Sequence, residues 1–189
     1  MKTIFKTLLF LLATTFIIAC SSDDDAPPPV NEEEVITTMT VTLVPVGGGT
    51  TVTLQTRDLD GDGPTAPIVT VSGPIAINTT YNGTIELLNE LENPAENITE
   101  EVEEEAEEHQ LFYTLSAGIG TTSYSDMDAD GNPIGLAFQF VSGNAATTGG
   151  FAVTLRHEPD KFAPGVAEGV INNAGGETDI EQAWQVSLQ

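Results

Sequence analysis

Val35-Ile36-Thr37-Thr38-Met39-Thr40-Val41-Thr42-Leu43-Val44-Pro45-Val46 is the stretch that decides the fold. Met39, Val41 and Leu43 alternate with Thr38, Thr40 and Thr42. A period of two sends one set to each face of a strand, whereas a helix would need apolar residues three and four apart. The β-branched side chains suit a pleated, half-buried surface. Gly47-Gly48-Gly49 then supplies a turn, and residues 50–57 return with Val52 and Leu54 on one face and Thr51, Thr53 and Gln55 on the other. Working outward, the segments 68–71, 80–89, 110–117, 136–142, 151–157 and 183–188 read as further strands between Gly, Pro, Asn and Asp punctuation. The expectation is an all-β fold, an antiparallel Ig-like or Greek-key sandwich of about seven to nine strands formed by residues 35–189. A domain of that size buries roughly 68–70% of its unfolded surface, enough for one core without disulfides.

One segment breaks the period. In the acidic run from Glu100 to Glu108, Val102 and Ala106 continue a four-residue spacing that begins at Ile98. That spacing predicts a short acidic helix docked by a thin apolar stripe, with Asn97 or Thr99 as its cap. Early Glu residues suit the positive end of the helix dipole, and the like charges further along oppose the helix.

The amino terminus is a targeting segment rather than part of the fold. Lys2 and Lys6 precede an apolar run from Thr7 to Ala19, about two-thirds of the roughly 20 residues a spanning helix needs. The run ends in Ile17-Ile18-Ala19-Cys20, which resembles the lipobox of bacterial lipoproteins and implies a signal peptide over 1–19 and lipidation (palmitate among the acyl chains) at Cys20. Ser21-Ser22-Asp23-Asp24-Asp25 resembles the acidic export signal of Bacteroidota lipoproteins. It implies a lipid-anchored protein on the outer face of the outer membrane. Residues 20–34, with Pro27-Pro28-Pro29 and Glu32-Glu33-Glu34, read as an acylated, stiff, self-repelling tether.

The chain carries 29 Asp and Glu against five Lys and Arg, a formal charge of −24. That sign excludes nucleic acid and anionic bilayers as electrostatic partners. Once Lys2 and Lys6 leave with the signal, Arg57, Arg156 and Lys161 are the remaining cations. The charge is concentrated in the tether, the helix and two loops, and the strands between them are rich in Thr.

Those two loops are Asp58-Leu59-Asp60-Gly61-Asp62-Gly63 and Asp126-Met127-Asp128-Ala129-Asp130-Gly131. Carboxylates at alternate positions followed by Gly match the opening of a calcium loop. Neither continues as an EF-hand: its twelfth position is Val69 in one loop and Ala137 in the other. Two readings therefore stand, hairpin or crossover turns built on Asp and Gly, and Ca2+ held by Asp58, Asp60 and Asp62 or by Asp126, Asp128 and Asp130. A second candidate is Glu105 with His109, which would share a helix face at i,i+4 and suit zinc or copper; the competing reading is a solvated acidic helix. A third is Arg156-His157-Glu158-Pro159-Asp160-Lys161, which reads either as a binding site for an anionic group or as a local charge cluster at a strand end. The sequence does not fix whether His109 and His157 meet. No nucleophile elbow, HExxH or phosphate-binding Gly-rich loop is present, so no enzyme is expected.

The segments 58–63, 78–90 (Asn-Thr-Thr-Tyr-Asn-Gly-Thr-Ile-Glu-Leu-Leu-Asn-Glu), 108–113 (Glu-His-Gln-Leu-Phe-Tyr) and 173–180 (Asn-Ala-Gly-Gly-Glu-Thr-Asp-Ile), in that order, resemble a small family of flavobacterial surface lipoproteins. Members are often labelled "type 1 periplasmic binding fold superfamily protein". The two α/β lobes of that fold need a βα alternation that this chain lacks, so the sandwich remains the expected architecture. The resemblance brings no catalytic residues. The expected function is a non-catalytic binding or accessory module at the cell surface, Ca-stabilised in one reading, with an unknown surface partner or ligand. The alternative is a divalent-metal capture protein using the Glu-rich helix and His109.

Overall fold

A computed structural model of the chain describes residues 34–61 and 63–189. The expectations for the signal peptide, Cys20 and the tether to residue 33, and for Asp62, lie outside the described residues. Nine strands are found among those described: β1 (Thr38–Pro45), β2 (Val52–Arg57), β3 (Ile68–Val71), β4 (Thr80–Leu88), β5 (His109–Leu115), β6 (Gly120–Tyr124), β7 (Ala137–Ser142), β8 (Thr147–His157) and β9 (Glu177–Leu188). They form a six-stranded sheet in the order β3-β2-β1-β4-β7-β6 and a three-stranded sheet in the order β5-β8-β9. The pairings between these strands are all antiparallel, so the all-β sandwich expected from the period-two pattern is the fold.

The alternation in β1 does what its sequence dictates. Met39, Val41 and Leu43 are wholly buried, facing Phe151, Val153, Leu155, Trp184 and Val186 of the smaller sheet within one core cluster. At roughly 25 cal/mol per Å² of apolar surface, each such side chain contributes about 1.5–3 kcal/mol. Near one end of the sandwich the β3–β4 connection joins the last strand: Ile75 N–H donates to the Ser187 carbonyl, and Gln189 N–H to that of Ile75. This pairing partly closes the gap between the sheets.

The helix α1 (Ile98–Glu104) is shorter than its stripe, with Ile98 and Val102 buried and Ala106 buried in the turn beyond it. Neither candidate residue caps it through its side chain. Asn97 sits at the N-cap position and gives its amide to Glu100 Oε1 instead. Thr99 Oγ1 accepts from Leu87 N–H and donates to the Leu87 carbonyl, which pins the helix to β4. Seven residues form too few turns to persist alone, so the stripe and this Thr99 bridge hold α1 in place.

Candidate metal centre

His109 opens β5 and His157 closes β8, and the two are directly paired across the strands. His109 lies two residues from Leu111 and His157 two from Leu155, both core residues. The period of two therefore turns both imidazoles inward at the end of the sandwich, with ring centroids 4.6 Å apart. The neighbouring strand supplies a third group through an irregularity. Leu155 pairs with Ile180 but Arg156 pairs with Thr178, so β9 carries one extra residue, Asp179. A bulge re-aims the side chain it carries, and here it brings Asp179 to the two histidines. The fourth group is Glu34, four residues before β1 and thus on the lead-in to the other sheet.

These four side chains expose only 6% (Glu34), 0% (His109), 4% (His157) and 1% (Asp179) of their surface. His109 Nε2 is 3.0 Å from Glu34 Oε1 and 4.0 Å from Asp179 Oδ2, while His157 Nδ1 is 3.8 Å from Glu34 Oε2 and 3.9 Å from Asp179 Oδ1. One ligand atom from each residue falls within 4.8 Å of the others. His109 Nδ1 lies 3.1 Å from the Glu105 carbonyl, which can only accept. Nδ1 therefore carries a ring proton and Nε2 faces the cluster, where a neutral ring would present its lone pair, the usual arrangement behind a metal-bound histidine.

Burial alone would push His109 down, but the Glu34 carboxylate, the Glu105 carbonyl and Asp179 outweigh it and leave its pKa raised. Glu34 is the mirror case: burial pushes it up, and the contact with His109, followed by the charge of His157, brings it below the ordinary carboxylate value. Two buried carboxylates demand compensating positive charge. Two imidazolium ions would supply it, and so would one divalent cation with both rings neutral.

Of the residues singled out in the sequence, His109 is in this cluster and Glu105 contributes only its backbone carbonyl. The helix ends at Glu104 and His109 belongs to β5, so the two do not share a helix face. The Asp loops are engaged as turns. Asp126 accepts from Gly135 N–H on Oδ1 and from Ala137 N–H on Oδ2. Asp128 Oδ1 accepts from the N–H groups of Asp130 and Asn132, and Asp128 Oδ2 takes the buried Lys161 ammonium at 2.9 Å. In the first loop Asp58 Oδ1 accepts from the N–H groups of Asp60 and Gly61, and Asp60 Oδ2 from Thr65 N–H. Asp58 and Asp60 also border an open cavity of about 360 Å³ shared with Val35, Leu59, Leu91 and Ile180. Among the described residues, neither group of converging ligands contains an Asp of these loops.

Glu34, His157 and Asp179 escape a reading for metal ligands. Glu34 ends an acidic run that looks like spacer, and Asp179 reaches the cluster only through a bulge. The one usable signal was the pair of histidines at the ends of two predicted strands, which can face each other if those strands are neighbours. Comparison with models of protein families, with curated proteins and with solved structures finds nothing that matches this chain.

Proposed function

We propose that the folded domain is a non-catalytic module that binds a divalent transition cation, zinc or copper, at Glu34, His109, His157 and Asp179. The lipobox at Cys20 and the acidic residues after it support its display at the cell surface as an outer-membrane lipoprotein. The observation that carries the metal reading is the convergence of two imidazole nitrogens and two carboxylates on one buried point. Zinc with N and O ligands at about 2.0–2.2 Å places tetrahedral ligand atoms roughly 3.3–3.6 Å apart, and the four separations between histidine and carboxylate span 3.0 to 4.0 Å. A mixed imidazole and carboxylate set suits zinc or copper, whereas calcium seeks six to eight oxygens. Four enclosed ligands leave no open position for a substrate, so the site holds its ion rather than using it for chemistry.

The test is thermal unfolding of the full chain in detergent, in chelator and then in zinc. A ligand present at a thousand times its Kd stabilises by about 4.1 kcal/mol, which for a domain of this size raises Tm by roughly 8–16 °C. His109→Ala and Asp179→Asn should abolish the rise, each compared with its own melting in chelator so that a folding defect is separated from lost binding. If zinc and copper both leave the parent chain's Tm unchanged, the cluster is a metal-free imidazolium–carboxylate network and the proposal fails.

A further inference from the structure

His157 faces two groups of carboxylates. Its Nδ1 looks inward to Glu34 and Asp179, while its Nε2 lies 3.8 Å from Glu108 Oε2 on the outer side. Glu108, His157 and Glu158 form a second group whose ligand atoms lie within 4.8 Å of one another. The backbone holds the two acids together, since Glu158 N–H donates to the Glu108 carbonyl at 2.7 Å. Glu108 and Glu158 are exposed, but His157 is buried, and its Nε2 makes no hydrogen bond among the described residues. A buried ring nitrogen without a partner is destabilising, and a cation between it and the two carboxylates would remove that cost.

Resting on the reading of the inner cluster as a cation site, we propose that Glu108, Glu158 and His157 Nε2 form a second, solvent-facing site for a divalent transition cation, so that one imidazole bridges an inner and an outer ion. With an ion on Nδ1, neutral His157 carries its ring proton on Nε2. The second ion takes that position, the proton passes to water, and the ring becomes an imidazolate shared by both metals. One dication enters and one proton leaves. The two exposed carboxylates offset the added charge. Three protein ligands leave the outer ion open to water, so it exchanges faster than the enclosed inner one.

Copper(II) is the probe, because two copper ions joined by an imidazolate couple magnetically and lose their separate paramagnetic signals. The full chain in detergent should show a mononuclear electron paramagnetic resonance spectrum at one equivalent of copper(II), and the integrated signal should fall below that level as a second equivalent binds. In the Glu108→Gln/Glu158→Gln variant the first spectrum should persist and the fall should disappear. A signal that grows in proportion to bound copper through the second equivalent overturns the bridge, as does a variant that behaves like the parent. Binding of no copper at all would sink this proposal and copper as the inner ion, whereas one tightly bound ion with no second, coupled one sinks this proposal alone.

Discussion

Lys161 is buried although charge of its sign is scarce in the chain, and its ammonium is fully employed. Nζ donates to Asp128 Oδ2 at 2.9 Å and to the carbonyls of Ala106 at 2.5 Å and Pro133 at 3.1 Å. Burial would raise the Asp128 pKa, but Lys161 and the Asn132 N–H hold it below the ordinary value. Removing one partner of such a pair strands the other, so Lys161→Ala should cost about 3–5 kcal/mol in denaturant unfolding. An unchanged midpoint would mean that water replaces the ammonium without loss. Glu90 shows the half-exposed counterpart. Arg57 Nε and Nη2 grip its two oxygens at 2.8 and 2.7 Å, and Thr38 Oγ1 donates to Oε1. Arg57, then Thr38, hold its pKa at about 2 against an ordinary 4.5. Because the folded-state value is depressed, the contribution of this pair is complete above pH 4.5 and fades as pH falls from there through about 2. Exposure keeps it small. In Arg57→Ala an NMR titration of the Glu90 carboxylate should move back toward 4.5; a value that stays near 2 would assign the depression to Thr38.

At the scale of elements, the strands readable in the sequence are those rich in apolar β-branched residues, most with a core-facing row and β3 largely exposed at the sheet's edge. The eight segments marked by that pattern all appear as strands, with β8 and β9 beginning earlier than the apolar rows suggested. β6 is the strand with no such mark. Its Gly-Thr-Thr-Ser-Tyr segment lies at the sheet's edge with half-exposed and exposed residues in turn, and it is a strand because β7 offers it a ladder. Gly83 in β4 shows how closely neighbouring strands fit. A Cβ there would lie 2.3 Å from the ring of Phe138, its partner on β7. Gly83→Ala should therefore destabilise by about 1–3 kcal/mol through overpacking, read from the denaturant midpoint. Adding Phe138→Leu should recover part of the loss, and no recovery would place the strain elsewhere.

For the whole molecule, the position of the four-residue cluster matters as much as its chemistry. His109, His157 and Asp179 come from β5, β8 and β9, the three strands of the smaller sheet, while Glu34 sits on the lead-in to β1 in the larger one. An ion there would fasten the two sheets at one end of the sandwich. A chain with a single Cys cannot do this with an internal disulfide. The melting rise expected with zinc is thus a property of the assembled sandwich, and Glu34→Gln should reduce it by weakening the only ligand that comes from the larger sheet.

Period-two patterning, the apolar stripe before His109 and the concentration of charge outside the strands are properties of neighbouring residues. Burial selects them locally, so the sequence by itself determined the all-β fold class, the helix and most strand positions. The candidate metal centre depends on which strands become neighbours and on one extra residue in β9. No spacing in the chain records that Glu34 meets Asp179 or that His109 meets His157. These are long-range contacts decided by sheet order and by the bulge, and only the tertiary structure brings them to one point.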